Sequence, residues 1–260
     1  MEEIDQLDGY ASRKGGLKEI VIKRLVKYVR GLCDPRFWPA ILRGVMPTME
    51  HSAALRRLDI RTILDVGANK GQFSVFARSL FPKARIYAFE PLSQSAEIFA
   101  QVVREPVVLF GYALGAGERV AEFFVASRDD SSSLYRPNEN QRIAFGVSLA
   151  GSVKVKVMRF DDVNLDLSSR PVLLKLDVQG GELDVLNGMT KSLASIDFIY
   201  VEVSFVSLYG GQPLAGAVVS FLEGNGFQLA GVYNQAETAL GVTQADFLFK
   251  RDALQLTEVK

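Results

Sequence analysis

The chain has 260 residues, 48% of them hydrophobic and 23% charged, the balance of a globular protein with a sizeable core rather than a disordered one. Lysine plus arginine and aspartate plus glutamate number 30 each, so the overall charge gives no reason to expect a nucleic-acid partner. A single cysteine, Cys33, excludes an internal disulfide and a thiolate metal cluster and fits a reducing, cytoplasmic setting.

The N-terminal MEEIDQLDGY is acidic and has no apolar run, so no secretory signal is expected there. No uncharged apolar stretch approaches the roughly 20 residues that span a bilayer. Residues 11–45 carry nine basic side chains against Glu19 and Asp34, a basic arm on an acidic remainder. Within it Leu17, Ile20, Val21, Leu25, Tyr28 and Leu32 recur at helical spacing, with Lys23, Lys27 and Arg30 mostly off that face. The predicted helix either packs on the main domain or lies on an anionic surface, such as the inner face of a membrane. The prolines of DPRFWP (34–39) are expected to end it. A second short helix, roughly Met49 to Leu58, is predicted behind Thr48 as N-cap. Residues 1–45 thus read as a basic helical extension and 46–260 as the main domain.

From residue 61 apolar strand cores alternate with helices. ILDV is followed by a helix to about Leu80, RIYAFEP by a helix from Ser93, then VVLFGYAL. Later come VLLKLDV, a helix over Glu182 to Leu193, FIYVEVS, a helix around Leu214 to Gly224, FQLAGVYN and DFLFK. Continuous apolar strands separated by helices imply a parallel sheet covered on both faces. Residues 116–165 interrupt that rhythm as an insertion. VKVKV (153–157) alternates strictly and should be half-exposed and antiparallel, with AEFFVAS (121–127) as its partner and the polar RDDSSSLYRPNEN between them.

The turn after ILDV reads Asp65-Val66-Gly67-Ala68-Asn69-Lys70-Gly71, where an open α/β sheet binds its ligand close to the backbone. It lacks the GxGxxG dinucleotide fingerprint, and no Gly-Lys-Ser/Thr makes it a P-loop. Asp65 would repel a pyrophosphate and suits a cationic group, an ammonium or a sulfonium. The second strand ends in Glu90, whose carboxylate can accept both hydrogen bonds of a ribose diol. A site with an amino-acid end and a nucleoside end describes S-adenosylmethionine. The plainer alternatives are a helix N-terminal acid for Asp65 and a solvated strand end for Glu90.

DVGANKG followed by FEP resembles motifs of class I S-adenosylmethionine-dependent methyltransferases. YALG (112–115), DDSSSL (129–134), RFDDV (159–163), LLKLDVQGGELDVLNG (173–188) and ADFLF (245–249) resemble the FkbM-type methyltransferases, over roughly residues 46–251. The resemblance implies a Rossmann-like doubly wound sheet of seven strands with the last strand antiparallel. It also implies methyl transfer to a hydroxyl of a sugar, glycan or related natural product. Asp65, Gly67, Asn69, Gly71, Glu90, Pro91, Ala113, Leu114 and Asp177 would then contact the cofactor. Family members commonly have Glu where this chain has Gln179, which puts an acid–base role there in doubt.

An alkyl hydroxyl needs help to lose its proton as it attacks. Asp177 closes the fourth parallel strand and Glu202 lies near the carboxyl end of the fifth, so their carboxylates could converge. They could hold Mg²⁺, or one could act as base. Gln179 adds no charge to the pair, so metal-free chemistry is favoured, with Asp177 as base or acceptor anchor. The only histidine, His51, is a reserve base. Each has a structural alternative: Asp177 could cap the next helix, Glu202 could pair with Lys175, and His51 could simply pack. Tyr209-Gly210-Gly211-Gln212-Pro213 and DDSSSL are candidate acceptor loops. The rival functions are a metal-dependent enzyme of the same fold, a nicotinamide-dependent oxidoreductase and a non-catalytic nucleoside-binding module. Oligomeric state is not legible.

Overall fold

Short strands with no polar face set the architecture. β1 (Thr62–Val66) and β7 (Val172–Leu176) are buried at every residue, so each must lie mid-sheet with both faces covered. They pair in parallel, β2 (Arg85–Phe89) joins β1, and β3 (Val107–Phe110) joins β2 at the edge. On the other side β8 (Phe198–Ser204) runs parallel to β7. β10 (Gly241–Arg251) is antiparallel both to β8 and to the outer β9 (Phe227–Thr238). The strand order is β3-β2-β1-β7-β8-β10-β9, the Rossmann-like seven-stranded sheet with its last strand reversed. The structure, a computed structural model, describes residues 34–252, and the basic helix predicted over Leu17 to Leu32 lies outside them.

Alternation along the strands feeds two cores. Leu64, Val66, Leu174 and Leu176 face one side, under helices α6 (Glu182–Asn187) and α7 (Ala215–Gly224). Ile63, Ile86 and Leu173 face the other, under α3 (Gln72–Leu80) and α4 (Ser93–Val102). Phe37, Ala40 and Val45 join this second core, so the chain from residue 37 onward packs against the sheet.

VVLFGYAL is split by the fold. β3 stops at Phe110, and β4 (Ala113–Leu114) leaves for a second sheet of order β4-β6-β5. There β5 (Arg119–Ala126) and β6 (Leu149–Met158) pair antiparallel as the alternating pattern predicts, with Glu122 opposite Lys154. The polar segment between them ends in a helix that its composition hid: α5 (Glu139–Phe145) starts where the Asn138 side chain accepts from Asn140 N and Gln141 N.

Whether DPRFWP ends the upstream helix lies outside the described residues; within it Asp34 accepts from Arg36 N and the segment forms a 3-10 turn running into α1 (Trp38–Ile41). One N-terminal reading needs correction. The second helix is shorter than predicted, a 3-10 turn Met49–His51 followed by α2 (Ser52–Leu55). Thr48 does not cap it with its side chain, and its buried hydroxyl has no hydrogen-bond partner among the described residues.

Candidate active site

The β1–α3 turn is shaped by crowding. Gly67 has φ +79°, and a Cβ there would lie 1.9 Å from the Asp177 carbonyl oxygen at the end of β7. Gly71 has φ +91°, and its Cβ would lie 2.6 Å from Val103 Cγ2. Both glycines therefore serve strand and helix packing, rather than only the approach of a ligand. Asn69 between them is also left-handed, at φ 45°. Its N–H donates to Glu90 Oε2 at 2.8 Å, and its side-chain oxygen accepts from Ser95 Oγ at 3.1 Å.

Glu90, 5% exposed, is not a solvated strand end. Oε1 takes the Leu92 N–H at 2.8 Å as Oε2 takes that of Asn69. Burial pushes the carboxyl up to about 7, against these two hydrogen bonds. Each oxygen keeps acceptor capacity at the cavity wall, which a pair of ligand hydroxyls would fill.

Asp65 departs from expectation. It is fully buried and lies off the cavity wall. Ser74 Oγ donates to its Oδ2 at 2.6 Å, and the Lys175 ammonium lies 3.4 Å from its Oδ1. The two residues sit opposite each other on β1 and β7, so the cation that Asp65 meets is internal. Lys175 Nζ also lies 3.5 Å from Asp177 Oδ2, and it donates to the Gly67 carbonyl at 3.3 Å. It thus ties the ends of both strands, and Glu202 has amide partners instead.

Those amides come from Gln179 and Gln244. Gln179 Nε2 donates to Asp177 Oδ1 at 2.7 Å and to Glu202 Oε2 at 2.9 Å, and Gln244 Nε2 donates to the same Glu202 oxygen at 2.7 Å. The other end of the Gln179 amide accepts from the Tyr209 hydroxyl at 2.8 Å. With carboxylates on one side and a hydroxyl on the other, the amide orientation is fixed. Gln179 adopts φ 57°, and its turn is pinned by Glu182, whose Oε1 accepts from Val178 N and Gly180 N. Burial, then the charges of Asp177, Asp246 and Glu182, raise the Glu202 carboxyl well above its usual range.

The segment Tyr209–Pro213 supports the site from behind. Tyr209 is fully buried, its hydroxyl accepts from Gln141 Nε2, and Gln212 bonds Leu208 N, Tyr209 N and Ser204 Oγ. It is absent from the cavity wall, whereas Arg128 to Ser132 and Leu134 form part of that wall. Lys70 of the glycine turn is paired with Asp129 of this segment.

His51 stands on the wall, with its ring edge-on to Phe73 and Tyr200 at centroid distances of 5.6 and 5.3 Å. Its Nδ1 is 3.0 Å from Tyr200 Oη, 3.2 Å from Asn234 Nδ2 and 3.3 Å from Asp246 Oδ2. Sequence reasoning missed Tyr200, Asn234 and Asp246. The available signal was Asp246 itself, an acid inside the apolar ADFLF strand.

One cavity of about 590 Å³ joins these groups, a volume that suits a small molecule. Its wall includes Gly67, Asn69, Glu90, Pro91, Ala113 and Leu114. Asp177, Glu202 and His51 also line it. Gly71, like Asp65, does not. The cavity opens at the carboxyl ends of the central strands, where doubly wound sheets bind their ligands.

Fold and site together define a class I methyltransferase. Residues 65–229 match the methyltransferase FkbM domain model, so the chain belongs to the FkbM methyltransferase family and is an S-adenosylmethionine-dependent enzyme. The 2-O-methyltransferase NoeI of Sinorhizobium fredii is 26% identical over 80% of this chain and 87% of its own. The hexuronic acid methyltransferase AglP of Haloferax volcanii is 30% identical over 54% of each chain. Among solved structures, magnesium protoporphyrin IX methyltransferase from Synechocystis aligns with TM-score 0.44 and 9% identity, over 77% of this chain and 74% of that one.

Proposed function

We propose that the enzyme transfers a methyl group to a hydroxyl of a sugar-like acceptor. The observation that carries this reading is the joining, in one cavity, of a buried carboxylate with spare acceptor capacity and the polar side chains of Asp177, Glu202 and His51. Glu90 would hold the ribose diol, Pro91, Ala113 and Leu114 would pack on the base, and Gly67 and Asn69 would face the amino-acid end. When bound, S-adenosylmethionine supplies a methyl group on a sulfonium, a good leaving group for in-line displacement.

The residues of the chain then have three tasks. Asp177 and Glu202, held by the Gln179 amide, present oxygens on which acceptor hydroxyls can be oriented. The 128–134 segment, held by the Lys70–Asp129 pair, forms part of the cavity wall and would limit water beside a bound acceptor. A base takes the hydroxyl proton. The name of one relative, a 2-O-methyltransferase, supports oxygen as the acceptor atom. Among the described residues no group of three or more His, Cys, Asp and Glu side chains is arranged to hold a metal ion, and the Gln179 amide lies between the two carboxylates that could. We favour a mechanism that does not use Mg²⁺.

The test is transfer of labelled methyl to glycan and small-polyol extracts, with and without EDTA. The reading expects label in alkali-stable ethers on these acceptors, unchanged by EDTA. Label on amine-bearing macromolecules and none on polyols would contradict the hydroxyl acceptor. Loss in EDTA with rescue by Mg²⁺ would contradict metal-free transfer.

A further inference from the structure

Behind His51 lies a hydrogen-bond chain whose direction can be worked out atom by atom. Asp246 is 8% exposed. Burial pushes its carboxyl up, but contacts with His51, Asn234 and Tyr200 outweigh this and hold it below its ordinary value, so it only accepts. Burial, followed by the Asp246 charge, drives the Tyr200 hydroxyl far above its usual range, so it keeps its proton. That one proton goes to Asp246 Oδ2 at 2.8 Å.

The Tyr200 oxygen is then left to accept. His51 Nδ1 lies 3.0 Å from it and 3.3 Å from Asp246 Oδ2, so two acceptors face the same ring nitrogen. Asn234 Nδ2 has two hydrogens, and Asp246 Oδ2 at 2.7 Å and Tyr200 Oη at 3.1 Å are its nearer acceptors, ahead of Nδ1 at 3.2 Å. A proton on Nδ1 gives that nitrogen an acceptor in the Tyr200 oxygen. Without it the Nδ1 lone pair would face two oxygens with no hydrogen to take, because the Tyr200 proton and both Asn234 hydrogens go to nearer acceptors.

We propose that Asp246, Tyr200 and Asn234 hold His51 in its Nδ1–H tautomer, so that Nε2 carries the lone pair at the cavity wall and His51 is the general base for the acceptor hydroxyl. The proposal rests on the hydroxyl-transfer reading above. Among the described residues every hydrogen bond of the ring runs through Nδ1, which leaves Nε2 for a ligand. The edge-on rings of Phe73 and Tyr200 fix the ring plane. Asp177, by contrast, already has an amide on one oxygen and an ammonium near the other, which suits it to anchoring. In the transfer step the acceptor oxygen gives its proton to Nε2 as the oxygen–carbon bond forms. The sulfur–carbon bond breaks with its electron pair staying on sulfur, and the positive charge of the sulfonium ends on the imidazolium.

The chain has one histidine, so its imidazole nitrogens can be observed without assignment in a long-range ¹H–¹⁵N correlation spectrum of the ¹⁵N-labelled protein. The proposal expects the neutral ring to be predominantly Nδ1–H in the wild type, and to become a tautomer mixture in Asp246→Ala. A wild-type ring that is predominantly Nε2–H overturns it, whatever the variants do. Turnover adds a second readout: His51→Gln should lose roughly 10²–10⁴-fold in kcat while still binding S-adenosylhomocysteine. Asp246→Glu should recover part of what Asp246→Ala loses. A His51→Gln enzyme at wild-type rate overturns the base role. Methyl transfer to amines alone would instead defeat the hydroxyl reading, and the tautomer measurement is independent of it.

Discussion

Glu202 and Asp246 face each other across one rung of the antiparallel pair β8–β10, two inward carboxylates at the same register position. Like charges placed so are destabilising. The fold separates them chemically rather than in space. Asp246 is surrounded by His51, Tyr200 and Asn234, whereas Glu202 receives two neutral amides and is pushed toward its protonated form.

Gln179→Glu tests that arrangement. The substitution replaces an amide donor with a third carboxylate between Asp177 and Glu202, whose oxygens now lie 2.7 and 2.9 Å from Gln179 Nε2. The new carboxyl would have a raised pKa, so its destabilising effect is small at low pH, where it stays protonated, and grows as pH rises. Urea unfolding should show a loss of about 1–3 kcal/mol at pH 8 and much less at pH 5. Equal losses at both pH values would mean that charge is not the cause.

Gly67→Ala should be costly without any ligand present. Its Cβ would overlap the Asp177 carbonyl at 1.9 Å, and a positive φ adds strain. Destabilisation of about 2–4 kcal/mol is expected from chemical unfolding, since β1 and β7 must separate to admit the methyl group. A variant as stable as the wild type would leave only the ligand to explain the glycine.

Glu90 and Glu182 both titrate near 7 when folded, mainly because they are buried, against a usual value of 4.5. A raised carboxyl pKa means that the folded state holds a proton which the unfolded state has released. Their contribution is therefore fully present below about 4.5 and is lost as pH rises to about 7. Thermal melts of the ligand-free enzyme should show Glu90→Gln flattening part of that decline. A decline of unchanged size in Glu90→Gln would argue against a buried, proton-holding Glu90.

The acceptor should carry no net negative charge. The lining cations are already engaged, Lys175 with Asp65 and Asp177, and Arg128 with Asp130 at 2.7 Å. A carboxylated sugar would meet Asp177 and Glu202 without a spare partner on those two cations. Labelled methyl should therefore follow the neutral and basic fractions of an ion-exchange-separated glycan extract. Label confined to the acidic fraction would show that another cation serves the acceptor.

Much of this was legible in the chain because burial leaves a direct trace. β1 and β7 are buried throughout and mostly apolar since both faces are covered, and Glu90 stands out as the acid that closes RIYAF. The role of Asp65 was misread because Lys175, 110 positions later, becomes its neighbour only through strand register. The His51 cluster was hidden for the same reason, as Tyr200 and Asn234 follow it by 149 and 183 residues. Gln179 was noticed only as a departure from the family pattern, and its bridging of two carboxylates depends on a left-handed turn that composition does not announce. Crowding at Gly67 is likewise a property of two strands rather than of one motif.

The most direct measurement is calorimetric titration of the wild type and of Glu90→Ala with S-adenosylhomocysteine at pH 8, where Glu90 is largely ionised. The account predicts saturable one-to-one binding to the wild type. Losing a charge-assisted hydrogen bond of about 1.5–3 kcal/mol should weaken the variant by roughly tenfold or more. No binding to the wild type, or binding to Glu90→Ala with wild-type affinity, would contradict the cofactor site described for this cavity.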